Sequence, residues 1–152
     1  MNPYVRGHVA AFFCCVLLAA SASSGQTADK YSARLGMVPA ANGTQQVLVS
    51  GKGAATATLA GNRLTINGTF EGLPAAATAA RLHQGIAKGA RGKAFADLTI
   101  TKAASGTISG AVTLTPEQVE AVRSSRFYVQ IHSENAPDGN LWGWLLPVEK
   151  ER

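Results

Sequence analysis

Two short stretches hold the residue types that could do chemistry in this chain. In "ARLHQG" (Ala80 to Gly85), Arg81 and His83 stand two apart, which puts their side chains on one face of an extended strand. In "RFYVQIHSENAPDGNLWGWLLP" (Arg126 to Pro147), Tyr128, Gln130 and His132 alternate with Phe127, Val129 and Ile131, and Trp142 and Trp144 follow with the same spacing. Imidazoles on neighbouring strands are suitable ligands for copper or zinc. Tryptophan and tyrosine bury a large apolar area while keeping a polar tip, which suits them to anchor a bound partner. These residues define one candidate face: Arg81, His83, Tyr128, Gln130, His132, Trp142 and Trp144 as ligand-binding residues, with His83 and His132 as candidate metal ligands.

A plainer reading competes with each of these roles. The aromatics can be covered by a loop or neighbouring strand as a second small core. The imidazoles can hydrogen-bond to backbone and to Gln130 or Tyr128 as a structural network. Two histidines are few for a closed metal site, and Arg81 sets a positive charge beside them. For an enzyme the signals are poorer still. No Gly-x-Ser-x-Gly elbow is present, and Glu71, Asp97, Glu134 and Asp138 have no spacing that forces two carboxylates together. The residues read as non-catalytic, with copper or zinc binding as the alternative to a protein or small-ligand partner.

The elements that must position this face are strands. Period-two alternation recurs: Tyr31, Ala33, Leu35 and Met37; Leu64, Ile66 and Phe70, with Gly68 interrupting; Ala96, Leu98 and Ile100; Ile108, Val112 and Leu114. "GAATATLA" and "ATAARLHQG" read as weaker, alanine-rich strands. Short strands with one apolar face, separated by Gly and Pro signals, predict an all-β fold, an antiparallel β-sandwich or barrel. One short helix is expected in "TPEQVEAVRSS", with Thr115 as N-cap, Pro116 at the first helical position and Gln118 completing a capping box. "GLPAAAT" and "GIAKGARGKA" read as loops. The turn "APDG" predicts a hairpin in which Ala136 opposes Asn140, His132 faces Trp144 and Glu134 faces Trp142.

The chain has 152 residues, and its start has a different character from the rest. Arg6 and His8 precede the apolar run Val9 to Ala20, and Ala20-Ser21-Ala22 supplies small residues: the pattern of a secretory signal peptide over residues 1–22. The run is too short for a spanning helix, which needs roughly 20 apolar residues. Cys14 and Cys15, the only cysteines, both lie in it, so the expected mature chain has no disulfide. It retains 13 Lys+Arg after Arg6 is removed, against 9 Asp+Glu. These basic residues are scattered, which argues against nucleic acid as a partner. The expected organisation is a signal peptide, an N-terminal strand and linker over residues 23–50, and a β domain over residues 51–149. The expected location is secreted or periplasmic, with no transmembrane segment after cleavage.

Five spaced motifs together carry a resemblance. "ARLHQG", the glycine-rich "GARG", "LTPEQVEAV", "FYVQIHS" and "PDGNLWGWLLP" occur in the order found in the CHRD domain, over roughly Ala54 to Pro147. The resemblance implies an all-β domain, immunoglobulin-like or barrel-like, without established catalytic activity, found among extracellular binders and in secreted microbial proteins. A Cu/Zn superoxide dismutase-like sandwich is the related architecture that a histidine site on such a sheet suggests by analogy. This chain departs from the family pattern at the chemistry-bearing positions. Arg81 replaces the first histidine of the family's His-x-His, Gln130 and Ile131 stand in its Tyr-Val-Asn-Val-His, and Trp142 and Trp144 occupy places usually held by Arg and Gln.

Overall fold

The computed structural model describes residues 28–39 and 49–149. The expected signal peptide, residues 1–22, lies outside the described residues. Alternating side chains generate the interior strand by strand. β1 (Asp29–Met37) buries Tyr31, Ala33 and Leu35; β2 (Lys52–Ala60) buries Ala55, Ala57 and Leu59; β3 (Arg63–Glu71) buries Leu64, Ile66 and Phe70. β4 (Ala77–Ala87), β5 (Ala90–Ile100) and β6 (Gly106–Thr113) add Ala80, Leu82, Leu98 and Ile108. β7 (Phe127–Ser133) and β8 (Ala136–Trp144) supply Phe127, Val129, Ile131 and Leu141, and a short β9 (Leu146–Pro147) follows. Burying one Leu, Ile or Phe side chain contributes roughly 1.5–3 kcal/mol, so this shared interior is the main source of stability.

The pairing makes a closed circuit. Every partnership is antiparallel, in the order β2-β3-β6-β5-β4-β7-β8-β1, and β1 returns to β2. The expected all-β antiparallel barrel or sandwich with one short helix is what forms. β1, within the stretch expected as strand and linker, is one stave of this barrel. Its last residue departs from the expected pattern: Met37 is 56% exposed. The β1–β2 register ends at Leu35↔Gly53, and beyond it Gly36 and Met37 pair with β8 instead.

The helix forms as its cap residues dictate. α1 (Pro116–Arg123) starts with the Thr115 hydroxyl accepting from the Gln118 N–H, while the Gln118 side chain accepts from the Thr115 N–H at 2.8 Å. Val119, Ala121 and Val122 are its buried residues. Arg123 ties the helix to the start of β1 through Asp29 at 3.7 Å.

Two expectations about connections are corrected. "GIAKGARGKA" is not a loop: β4 and β5 continue as a long hairpin to a tight turn at Lys88-Gly89, where Gly89 has φ +78°. "PDG" is not the β7–β8 turn either. The chain reverses at Glu134-Asn135, Ser133 pairs with Ala136, and the ladder resumes at Ile131↔Leu141 and Gln130↔Trp142. Residues Pro137 to Asn140 form a wide bulge between those pairings. Tyr128, not His132, faces Trp144 across the ladder, and Gln130, not Glu134, faces Trp142. The register is displaced by four residues from expectation, an even number, so every side chain keeps its predicted face.

Candidate functional site

β7 is buried along its whole length, on both faces. Its interior side is the core described above. Its other side carries Tyr128, Gln130 and His132, which are only 1%, 5% and 6% exposed. Two pieces of backbone cover it. From one side comes the distal part of the β4–β5 hairpin, and from the other the bulge of β8.

The bulge supplies carbonyls. His132 Nδ1 lies 2.8 Å from the Pro137 carbonyl oxygen, and Gln130 Nε2 donates to the Asp138 carbonyl at 2.7 Å. The close approach of Gly139 to Gln130 leaves no room for a Cβ, and its φ of +134° is one that side-chain-bearing residues rarely adopt. Thus the Pro-Asp-Gly segment, a turn by its local chemistry, is recruited as an arch that satisfies two buried polar side chains. Deeper in, Asn140 donates to the Ser50 carbonyl at 2.7 Å and accepts from the Ser133 hydroxyl at 3.1 Å, both side chains being fully buried.

The hairpin supplies surface and hydrogen bonds. Gly85 and Gly92 pair directly across it, and a Cβ on Gly85 would come within 2.8 Å of the Trp144 ring. At Gly92, the Tyr128 hydroxyl donates to the carbonyl at 3.1 Å and accepts from the N–H at 3.4 Å. His83 Nδ1 lies 3.3 Å from the same carbonyl and 3.2 Å from the same hydroxyl. The glycines are therefore where aromatic rings meet backbone closely.

A continuous ring cluster results. The Tyr128 ring lies 4.7 Å from His83, 4.6 Å from Trp144 and 5.8 Å from Trp142, centre to centre. The two indoles are 6.1 Å apart and nearly perpendicular. Both are only partly buried, and the Arg91 guanidinium lies 4.7 Å from the centre of the Trp142 ring. Six of the seven expected residues thus share one cluster. Arg81 stands at its margin, exposed and paired with its cross-strand neighbour Asp97 at 3.1 Å. Sequence reasoning missed Arg91 as part of this face, along with the backbone of Gly92, Pro137 and Asp138. The basic, glycine-rich "GARG" was the available signal for the hairpin.

The two histidines come together, with ring centres 6.5 Å apart and planes inclined by 30°. Their protonation follows from their partners. A carbonyl oxygen only accepts, so His132 Nδ1 must carry the proton it gives to Pro137. For His83, an Nδ1 proton is accepted by the Tyr128 hydroxyl or the Gly92 carbonyl, whereas an Nε2 proton would be buried without an acceptor. Both Nε2 atoms are buried and have no hydrogen-bond partner in the protein. Each neutral ring therefore presents a bare Nε2 lone pair. Burial holds the pKa of His83 below its usual 6.5; the Gly92 carbonyl opposes this, and the neighbouring His132 ring and the positive charges of Arg81 and Arg91 add to the lowering. Among the described residues, no group of three or more His, Cys, Asp or Glu is placed to hold a metal.

The fold and this face define a small closed antiparallel β-barrel domain with a covered polar-aromatic layer on one outer side. A family model described as the CHRD domain matches residues 33–145, well over half of the chain, and the chain belongs to that family. Membership supports a binding module in general terms. No curated protein and no solved structure gives a match. No helix among the described residues is long and apolar enough to cross a membrane.

Proposed function

We propose that this domain is an exported, non-catalytic binding module that meets a protein or small ligand at the aromatic end of the β7 polar layer. The observation that carries this reading is the state of the two indoles. They are partly open to solvent, are backed by the fully buried Tyr128, and carry the Arg91 guanidinium against one ring. A rigid aromatic surface ordered before contact loses little conformational entropy on binding. The engagement of Glu71 by Lys52 and of Asp97 by Arg81 in surface ion pairs supports the non-catalytic part. Export rests on the signal-like residues 1–22.

An NMR screen with aromatic and carboxylate-bearing fragments tests the reading. Shifts should cluster on the Trp142 and Trp144 indole N–H signals and on Gly85 to Gly92, and Trp142→Ala should abolish them. A rival surface exists: an open groove of about 570 Å³ lined by residues that include Arg34, Leu35, Lys52, Phe70 and Glu71. Hits confined to that groove would refute the aromatic reading.

A second reading is favoured by one specific observation, the two bare Nε2 lone pairs of His83 and His132. On it, the domain holds a copper or zinc ion between β4 and β7, with the Gly92 and Pro137 carbonyls orienting the rings as outer partners commonly orient metal-binding imidazoles.

A further inference from the structure

Resting on the aromatic reading, we infer that the end of the β4–β5 hairpin beside Trp142 and Trp144 docks the domain on an anionic lipid surface. That end stands clear of the barrel wall. β4 last pairs with β7 at Gln84↔Phe127, and beyond it β4 and β5 pair only with each other, through Gly85↔Gly92 and Ala87↔Ala90. From Ile86 to Lys93 every residue is apolar, glycine or basic, with no acid and no neutral polar side chain. Ile86 is 79% exposed, more than Met37, Leu146 or Val148, the other exposed large apolar residues among those described. A lone exposed aliphatic is ordinary. This one projects among cations and beside two indoles, and that conjunction carries the inference.

Charge is the first argument. Lys88, Arg91 and Lys93 are exposed and form no ion pair among the described residues. The only acid on the two strands, Asp97, is held by Arg81 at 3.1 Å. The Arg91 guanidinium lies 4.7 Å from the Trp142 ring centre, and its one hydrogen bond among the described residues is a long one, 3.5 Å to the Pro39 carbonyl. Anionic headgroups attract such an uncompensated tip, each cation near the surface strengthening partitioning roughly fivefold.

Depth is the second. A bilayer answers both halves of this chemistry at once. Phosphate groups meet the three cations, whose long stems let the charges stay in water while the tip sinks. The acyl chains just beneath take Ile86, which has little to bury against in the free domain. Trp142 and Trp144 then lie at headgroup depth, the level at which indoles are enriched in membrane interfaces. The backbone of the turn stays in the hydrated zone, where water satisfies its free N–H and C=O groups. A hydrated acidic polysaccharide offers the same charge but no apolar phase for Ile86, so it is the weaker match.

The test uses the full chain and its own fluorescence, since its only two tryptophans both lie on this face. The apolar run Val9 to Ala20 is a second route to a bilayer but carries no tryptophan, so emission reads this face and not the run. Vesicles of phosphatidylcholine, with or without phosphatidylglycerol, carry a nitroxide on a share of their headgroups. The expected result is quenching on the anionic vesicles, little on the neutral ones, and reversal by added salt. Lys88→Gln with Lys93→Gln, which leaves Arg91 on its indole, should raise the half-maximal lipid concentration about 25-fold. Lys88→Arg with Lys93→Arg should leave it near that of the parent. Ile86→Ser keeps the charge and should raise it about tenfold. Equal quenching on neutral vesicles, or an Ile86→Ser chain that binds like the parent, overturns the inference. If a soluble polyuronate engages the two lysines while vesicles do not, the partner is an acidic polysaccharide and lipid docking falls. Fragment shifts at the indoles without vesicle quenching sink this inference alone; if both are absent, the aromatic reading falls with it.

Discussion

The Tyr128 hydroxyl can be removed without disturbing the ring that carries it, so Tyr128→Phe separates hydrogen bonding from packing at the centre of the layer. The phenol is 1% exposed and stands 4.6, 4.7 and 5.8 Å from Trp144, His83 and Trp142. Those contacts survive the change to Phe. What is lost is the bond to the Gly92 carbonyl, the longer one from the Gly92 N–H and the 3.2 Å contact with His83 Nδ1. The carbonyl keeps His83 as a donor, so only the N–H is left without its side-chain partner. One net hydrogen bond plus one weakly held, partly buried donor corresponds to about 1–2 kcal/mol. Tyr128→Ala removes the ring as well and should cost about 3–5 kcal/mol, the usual price of emptying an aromatic site. Urea denaturation followed by tryptophan fluorescence measures both, with the slope m expected to stay constant so that the midpoint shift reports stability. If Phe costs as much as Ala, the layer is held by its hydrogen bonds and the packing argument is wrong. If Phe costs under about 0.5 kcal/mol, the hydroxyl bonds to Gly92 contribute nothing and the anchoring argument is wrong.

The lowered pKa of His83 sets a pH dependence. Below its ordinary 6.5 the unfolded chain binds a proton that the folded chain resists, so stability should be complete above that value and fall as pH drops beneath it. Thermal midpoints measured from pH 8 to pH 5 should decline across that window, and His83→Gln should flatten the decline; an unchanged profile in the variant would assign the acid sensitivity elsewhere. Gly85→Ala places a Cβ within 2.9 Å of the Ala87 carbonyl and 2.8 Å of the Trp144 ring, and closer still to the Ala90 carbonyl. It should destabilise by about 1–3 kcal/mol and shift the tryptophan emission, and an unaltered spectrum would show that Trp144 does not rest on this glycine.

The faces were legible in the sequence because alternation is a local property. Phe127, Val129 and Ile131 against Tyr128, Gln130 and His132 can be sorted without knowing which strand lies opposite. Register was not legible, since Pro-Asp-Gly satisfies every local rule for a turn. The competing demand is tertiary: buried Gln130 and His132 need acceptors, and the Pro137 and Asp138 carbonyls supply them only if that segment arches over β7. The displacement by four residues preserved the parity, and with it the face assignments. "GIAKGARGKA" failed as a loop for a similar reason. Its Gly85 and Gly92 are not turn residues but positions where an indole and a phenol approach the backbone. Phe95 shows the same limit. A bulge opposite Leu82 and His83 inserts it as an extra residue, with its ring 5.5 Å from that of Phe127, while Ala96 still pairs with Leu82.

The acceptors that orient the two imidazoles belong to the main chain, at Gly92 and Pro137. A main-chain acceptor cannot be deleted by exchanging the side chain that hangs from the same residue. Ring orientation is thus insulated from most point changes in the arch, and Asp138 is free to vary in charge without releasing His132. It is exposed instead to changes in contour length. One residue inserted or removed between Asn135 and Leu141 would carry the Pro137 carbonyl away from the ring, so drift in this domain should erase the histidine geometry through indels sooner than through substitutions.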